Sequence, residues 1–340
     1  MSNILVTGAA GFIGFHLIKS LHESNDKIFG LDNLQNNHDY KIKLKRLEQL
    51  NINSDTLIND LVADNGNLNF VKIDLLDKDK LNELFYNNNF EIVIHLAAQT
   101  GVRHSALYPQ QYIDNNITAF NNLLECCRDH KVKKMMYASS SSVYGMHKNT
   151  PSKETDSTDS PTSIYAITKK TCELLAYGYT LQNDMVCTGL RFFTVYGPWC
   201  RTDMAAYIFM KALVDEKQID LFNNGDMLRD FTYVDDICKS IRLIKEKLLF
   251  DSPTPPYHEI FNIGNRTPIS LFQYKAAIEK DLGKIAIFEC KPIQYGEVIV
   301  SFADVIKLEN FIGFKPDTDL QDGVKKMTDW FKTYYEDLKG

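Results

Sequence analysis

Tyr165 and Lys169, four residues apart in "SIYAITKK" (163–170), have the types and spacing for proton chemistry. On a helix such a pair shares one face. An ammonium beside a phenol favours the tyrosinate and draws the hydroxyl's pKa towards neutrality. The same spacing is common on solvated helix faces, so the pair alone decides nothing. A proton relay needs a third group on the strand before that helix. "YASSSSVYG" (137–145) supplies Ser139 to Ser142 there. One hydroxyl of that run can pass a proton between a substrate oxygen and Tyr165, although serine runs also serve turns through local hydrogen bonds.

A hydride acceptor for such a base has its own signature upstream. "VTGAAGFIG" carries Gly8, Gly11 and Gly14 between a strand and a helix, in the variant spacing GxxGxxG. Glycines there permit a tight turn and close approach to a pyrophosphate, and the helix N-terminus adds free N–H groups and a positive dipole end. Asp32 closes "FGLDN" eighteen residues after Gly14, where an acid accepts the adenosine ribose hydroxyls and repels the extra phosphate of NADP. No arginine follows it at once, so NAD is expected. Asp74, ending "FVKID", is placed for the adenine edge, and "HLAA" (95–98) ends the next strand beside the cofactor.

The elements that must carry these groups follow one rhythm. "NILVTG", "KIFGLD", "FVKID", "IVIHLAA", "KMMYASS" and "CTGLRFF" read as strands, with helical patterns at 13–24, 77–88, 112–130 and 162–182 between them. That alternation predicts an α/β, Rossmann-type, doubly wound parallel sheet. Segment 36–69 reads as an insertion, helical near 39–50 and then a polar loop. Past "YGPW" (196–199) the rhythm breaks, and a smaller mixed C-terminal substrate domain is expected. The NAD-binding domain is assigned to 1–196 plus about 229–263, and the smaller domain, which the resemblance drawn below implies to be the nucleotide-sugar-binding one, to about 197–228 plus 264–340.

The bulk composition removes whole classes of partner. Of 340 residues 44% are hydrophobic and 24% charged, an ordinary soluble balance, and a net charge of −6 leaves no global basic field for nucleic acid or an anionic membrane. Seven cysteines without a CxxC pair or metal-ligand spacing predict reduced thiols and no metal site. The chain starts a strand almost at once and has no run of eighteen apolar residues, so a cytoplasmic protein, neither secreted nor anchored, is expected.

Taken in order along the chain, GxxGxxG, Asp32, Asp74, "HLAA", Asn115 in "YIDNN", the serine strand, Tyr165-x-x-x-Lys169 and "RDFTYVDD" resemble the extended short-chain dehydrogenase/reductase superfamily, and within it the NAD-dependent epimerase/dehydratase family. The stretches "AAQTGVRHS" (97–105), "YASSSSVYG" and "RFFTVYGPWCRTDMA" (191–205) are most similar to its UDP-glucuronate 4-epimerases. The resemblance implies Tyr165 as base, Lys169 as its partner and Ser140 as the catalytic hydroxyl. It implies an NAD site of Gly8, Gly11, Phe12, Ile13, Gly14, Asp32, Asn33, Asp74, Leu75, Leu96, Ala97, Ala98 and Asn115, with Tyr165 and Lys169. It implies a UDP-sugar site of Arg103, Ser142, Thr194, Arg201, Arg229 and Glu297. Arg201 is the candidate for the glucuronate carboxylate, since a guanidinium donates two parallel hydrogen bonds, and Arg229 the candidate for the diphosphate. Relatives commonly form homodimers through the helix of the Tyr-x-x-x-Lys pair and the one before it, here about 162–182 and 112–130.

The chain departs from the family where glycine and proline are usual and Cys200 and Thr202 stand, and where Glu297 replaces an aspartate. Cys200 has no base nearby in sequence and reads as a packing substitution. The implied reaction is inversion at C4 through a 4-keto sugar. Related decarboxylases and 4,6-dehydratases carry an acid just after the strand hydroxyl; Ser141 and Ser142 stand there, which argues against both outcomes. A 4-epimerase of a neutral UDP-sugar is the nearest alternative, and an NAD-binding scaffold without catalysis is opposed by the intact Tyr165, Lys169 and serine run.

Overall fold

The computed structural model describes residues 1–35, 40–53, 63–146, 149–293 and 298–338. Alternating apolar residues build its centre. In strand β1 (Asn3–Thr7), Ile4 and Val6 join the core on one face and Leu5 the core on the other. The chain runs on through α1 (Phe12–Leu21), β2 (Lys27–Asp32), α2 (Tyr40–Gln49), β3 (Ala63–Asn65), β4 (Leu68–Lys72), α3 (Lys78–Asn87) and β5 (Ile92–His95). Two short helices, α4 (Val102–Leu107) and α5 (Pro109–Tyr112), lead through a π-helical turn, Ile113–Thr118, into α6 (Ala119–Asp129). Next come β6 (Lys134–Ser140), a 3₁₀ turn (Ser141–Tyr144), α7 (Ile164–Asn183) and β7 (Val186–Phe192).

After β8 (Thr194–Tyr196) come α8 (Ala205–Val214), β9 (Ile219–Phe222), β10 (Leu228–Tyr233), α9 (Val234–Phe250) and β11 (Tyr257–Ile263). The chain ends through β12 (Pro268–Ser270), α10 (Leu271–Leu282), β13 (Phe288–Lys291), β14 (Val300–Ser301), α11 (Ile306–Ile312) and α12 (Leu320–Leu338). Eight strands form one sheet in the order β11-β7-β6-β5-β1-β2-β4-β3. Every pairing in it is parallel except β3 with β4. From β1 the chain steps outward to β2 and β4, then returns to the other side of β1 at β5. The switch point between β1 and β5 is where open α/β sheets take ligands at their carboxyl ends.

One expectation needs correction. The stretch after the α2 helix is not all polar loop: Ala63–Asn65 pairs antiparallel with Leu68–Lys72, through a turn at Gly66, where φ is +65°. Three residues and a glycine turn are too short to show a periodicity in sequence. Beyond β7, β10 joins β12, β14 and β8 in a separate small sheet, and β9 pairs with β13.

Candidate active site

The glycine loop is a fold necessity first. Gly8 has φ +72°, and a Cβ there would lie 2.7 Å from the Ala97 nitrogen. A Cβ on Gly14 would lie 2.1 Å from the Gly8 carbonyl oxygen. Only glycine lets β1 turn this tightly into α1 while β5 closes against it. The α1 helix begins behind Gly11 with no side-chain cap, so its first N–H groups remain available to an anion. A cleft opens over this turn. Its walls hold Gly8, Gly11, Phe12, Ile13, Gly14, Asp32, Asn33, Asp74, Leu75, Leu96, Ala97, Ala98 and Asn115, together with Lys43, Arg46, Arg201 and Asp203. A backbone cradle that a single Cβ would fill, uncapped amides and a carboxylate at the next strand end fit a dinucleotide.

Asp32 is buried at the end of β2. It accepts from Ala10 N at 3.1 Å and Leu34 N at 2.9 Å, and Lys43 Nζ stands 3.1 Å from Oδ1. Asn33 Nδ2 donates to Asp74 Oδ2 at 3.0 Å, joining the ends of β2 and β4. Behind "HLAA", His95 Nδ1 meets Thr7 Oγ1 at 2.8 Å, and burial pulls its pKa down to about 3. That imidazole is neutral and structural.

Strand register brings the second set alongside. Thr7 lies opposite His95, and His95 opposite Tyr137, so β1 and β5 end level with each other while β6 runs three residues further, to Ser140. Lys169 is buried and donates from Nζ to the Ala138 carbonyl at 2.9 Å. Two residues on, Ser140 Oγ is 3.1 Å from Ser142 Oγ and accepts from Ser142 N at 3.2 Å, capping the 3₁₀ turn. Ser163 caps α7 by accepting from Ala166 N, and Tyr165 follows in its first turn. The Tyr165 ring meets the edge of Tyr112 with centroids 6.3 Å apart. Tyr112, pushed up to about 12 by burial, stays a donor and bonds the carbonyls of Thr100 and Gly101 at 2.6 and 2.9 Å.

The sugar-side candidates are more dispersed. Arg201 lines the cleft, and its fork is occupied by Asp203, with Nε–Oδ1 at 2.9 Å and Nη2–Oδ2 at 3.1 Å. Arg103 is exposed on α4, with its guanidinium 4.6 Å over the Phe222 ring of β9. Thr194 and Arg229 belong to the small sheet. Arg229 Nη1 donates to the carbonyls of Leu228 and Ile299 at 3.1 and 3.2 Å. Ser140, Ser142, Tyr165, Lys169, Arg103, Thr194 and Arg229 stand outside the walls of the glycine-loop cleft. Glu297 lies outside the described residues. Cys200 is fully buried in the core.

Several contributors escape a sequence reading. Asn115 Nδ2 donates to Gln111 O, whereas Asn116 is buried and bonds Gln99 N at 2.8 Å, Gln99 O at 3.0 Å and Thr168 Oγ1 at 2.9 Å. It fastens the "HLAA" loop to α7; the doubled asparagine was its only signal. Arg46 is 1% exposed. It gives Nη1 to Ala10 O at 2.9 Å, and Nε and Nη2 to Trp199 O at 3.1 and 2.6 Å. It thereby ties the glycine loop to the loop that carries Arg201. Trp199 sits at φ +59°, in the left-handed region that a non-glycine residue enters at a cost of roughly 1 kcal/mol. His16, lowered to about 4 by burial, gives Nε2–H to Pro198 O at 2.8 Å and steadies the same loop. Lys43 and Arg46 share the spacing i,i+3 on α2, eleven and fourteen residues after Asp32.

Comparison with known proteins agrees with this geometry. Residues 4–264 match the NAD dependent epimerase/dehydratase family. The chain is 42% identical to Protein CapI of Staphylococcus aureus over 98% of its own length and 99% of the relative's. It is 37% identical to UDP-glucuronate 4-epimerase 4 of Arabidopsis thaliana, over 98% of this chain and 76% of that one. Among solved structures, UDP-glucuronic acid 4-epimerase from Bacillus cereus, in complex with UDP-glucuronic acid and NAD, superposes with a TM-score of 0.86 at 32% identity. That match covers 98% of this chain and 100% of the other.

Proposed function

The chain belongs to the NAD-dependent epimerase/dehydratase family, and on that premise we propose that it is an isomerase, a UDP-glucuronate 4-epimerase that interconverts UDP-glucuronate and UDP-galacturonate. One observation carries the reading. Lys169 of α7 bonds the Ala138 carbonyl of β6, two residues before Ser140 and one helical turn from Tyr165, in a chain that aligns along its length with a UDP-glucuronate 4-epimerase bound to that sugar and NAD. Gly8–Gly14, Asp32 and Asp74 would hold NAD, which would supply a reversible hydride acceptor for C4, so that no net oxidation results. Tyr165 Oη takes the proton of the 4-hydroxyl, Lys169 Nζ favours the tyrosinate, and Ser140 Oγ bridges to the substrate oxygen. Arg229 retains the diphosphate while the 4-keto sugar turns its other face, and Tyr165 returns the proton with C4 inverted.

A 4-keto glucuronate is a β-keto acid that readily loses carbon dioxide. Arg201 holds its carboxylate in two hydrogen bonds, and Ser141 and Ser142 leave no acid after Ser140. The outer face of α7 exposes Ile167, Leu174, Tyr177 and Leu181 at 43–58% of their surface, a stripe suited to a homodimer. No helix of the described residues is long and apolar enough to cross a membrane. Seven cysteines outside any disulfide, six of them buried, accord with a cytoplasmic location.

The test uses purified protein, UDP-glucuronate and no added cofactor, with products separated by anion exchange and identified by proton NMR. UDP-galacturonate is the expected product and would establish retained NAD as well. A UDP-pentose with carbon dioxide would mean decarboxylation. Silence even with NAD added, but turnover of UDP-glucose or UDP-N-acetylglucosamine, would move the assignment to a neutral sugar.

A further inference from the structure

The proposed chemistry leaves unused a buried ion pair one helical turn beyond Lys169. Glu173 and Arg191 are 2% and 3% exposed and meet in parallel, Nε–Oε1 at 2.8 Å and Nη2–Oε2 at 2.9 Å. Ser139 Oγ donates to Glu173 Oε1 at 2.6 Å. Arg191 Nη1 donates to Tyr144 Oη at 3.0 Å, and Tyr144 donates to Asn262 Oδ1 at 2.7 Å. The chain of bonds crosses from α7 through β6 and β7 to β11.

Stability does not require such a pair. Apolar residues of similar volume often hold a core as well as a buried ion pair does, while removal of one partner strands a charge. What the pair supplies is direction. The other buried residues of α7 include Ala166 and Ala176, small side chains that tolerate sliding, while Thr168 and Cys172 bond Asn116 of the π-helical turn rather than a strand. Each residue of slip moves a helix 1.5 Å along its axis. Against this stand directional bonds to successive β6 residues: Lys169 to the Ala138 carbonyl, then Ser139 to Glu173. The next residue is Ser140, whose hydroxyl is left for Ser142 and the substrate.

We propose that Glu173 and Arg191 are positioning residues that set the spacing of Tyr165 and Lys169 on α7 against Ser140 on β6. The inference rests on the epimerase reading for its kinetics. The pair carries no net charge, so Lys169 remains the cation that acts on the phenol, and the effect of the pair is one of distance.

The test is the double variant Glu173→Gln/Arg191→Met in the full-length enzyme with its NAD, which removes both charges and strands neither. Expected are a melting temperature within a few degrees of wild type, retained NAD, a KM within about threefold and a kcat lowered about 10–100-fold, the scale of a 1 Å misplacement. The acid limb of the kcat profile should stay at the same pH. A folded double variant with wild-type kcat would overturn the proposal, as would a loss of kcat that merely follows the folded fraction. Should the double variant not fold, Ser139→Ala cuts the strand tie alone and is expected to lower kcat several-fold with little change in melting; unchanged kcat there overturns the proposal. Failure of the epimerase reading is recognised separately, by wild-type enzyme silent on every UDP-sugar. In that event a crystal structure of either variant still decides: Tyr165 displaced against Ser140 supports positioning, and an unmoved pair defeats it.

Discussion

Two guanidinium–carboxylate pairs of nearly identical geometry occupy opposite situations. Glu173 and Arg191 are 2–3% exposed, come from different elements and are fastened further by Ser139 and Tyr144. Arg201 and Asp203 are 30% and 38% exposed, two residues apart on one loop, and border an open cleft. Water screens the second pair and is absent from the first. Burial therefore decides whether the same two bonds act as a frame or as a contact open to exchange. On the proposed reading, a glucuronate carboxylate would have to compete with Asp203 for the Arg201 fork, whereas a neutral sugar would have nothing to offer in trade.

The contrast breaks at different points under different changes. Tyr165→Phe, in the framed region, should cut turnover of UDP-glucuronate about 10³-fold while NAD stays bound, by NMR assay and cofactor release on denaturation; residual activity above a tenth would remove Tyr165 from the chemistry. Arg201→Met, in the exchangeable region, should raise KM for UDP-glucuronate about 10–100-fold, the worth of a charged bidentate bond, and leave any UDP-glucose turnover alone. Equal losses on both sugars would show that Arg201 shapes the loop instead.

Acid should loosen the large sheet before the small one. Burial holds His16 and His258 down to about 4 and His95 to about 3, against an ordinary 6.5. Below pH 6.5 the unfolded chain binds protons that the folded chain refuses. Stability is thus full above about pH 6.5 and falls as pH drops towards 4, by up to about 1.4 kcal/mol per pH unit for each histidine. No histidine follows His258. Urea midpoints from pH 7 to pH 5 should decline, and hydrogen exchange should quicken in β5 and β11 before β10; the reverse order would contradict this. The smallest effect is expected from Asp203→Asn. Weakening the exposed pair should lower KM for UDP-glucuronate about two- to fivefold, in line with the roughly 0.2–1 kcal/mol of a surface ion pair. A rise would mean that Asp203 helps to aim Arg201.

The sequence disclosed what is local and withheld what is not. The glycine turn, Asp32, Asp74 and Tyr165-x-x-x-Lys169 were legible because a tight turn, a strand end and a helix face each impose types at short fixed spacings. The parallel sheet was legible for the same reason, through strand–helix alternation. The Ser139–Glu173–Arg191 tie joins residues 34 and 18 positions apart, and apolar periodicity marks burial without naming a partner. Asn116 was hidden behind Asn115 because a π-helical turn alters which neighbour faces inward. The filled fork of Arg201 was hidden because the sequence shows an arginine two residues from an aspartate and does not show whether they turn towards each other.

Arg46 has a consequence for descent and for engineering. Its guanidinium clasps the Ala10 and Trp199 carbonyls at once, so the glycine turn and the stretch that ends in Arg201 share one keystone. A transplant of residues 197–203 from a cousin with another sugar preference would import a new backbone path and lose its anchor unless the α2 helix travelled with it. Shifts of specificity in this lineage should therefore be inherited as paired changes, one in the helix after Asp32 and one in the loop 153 residues away.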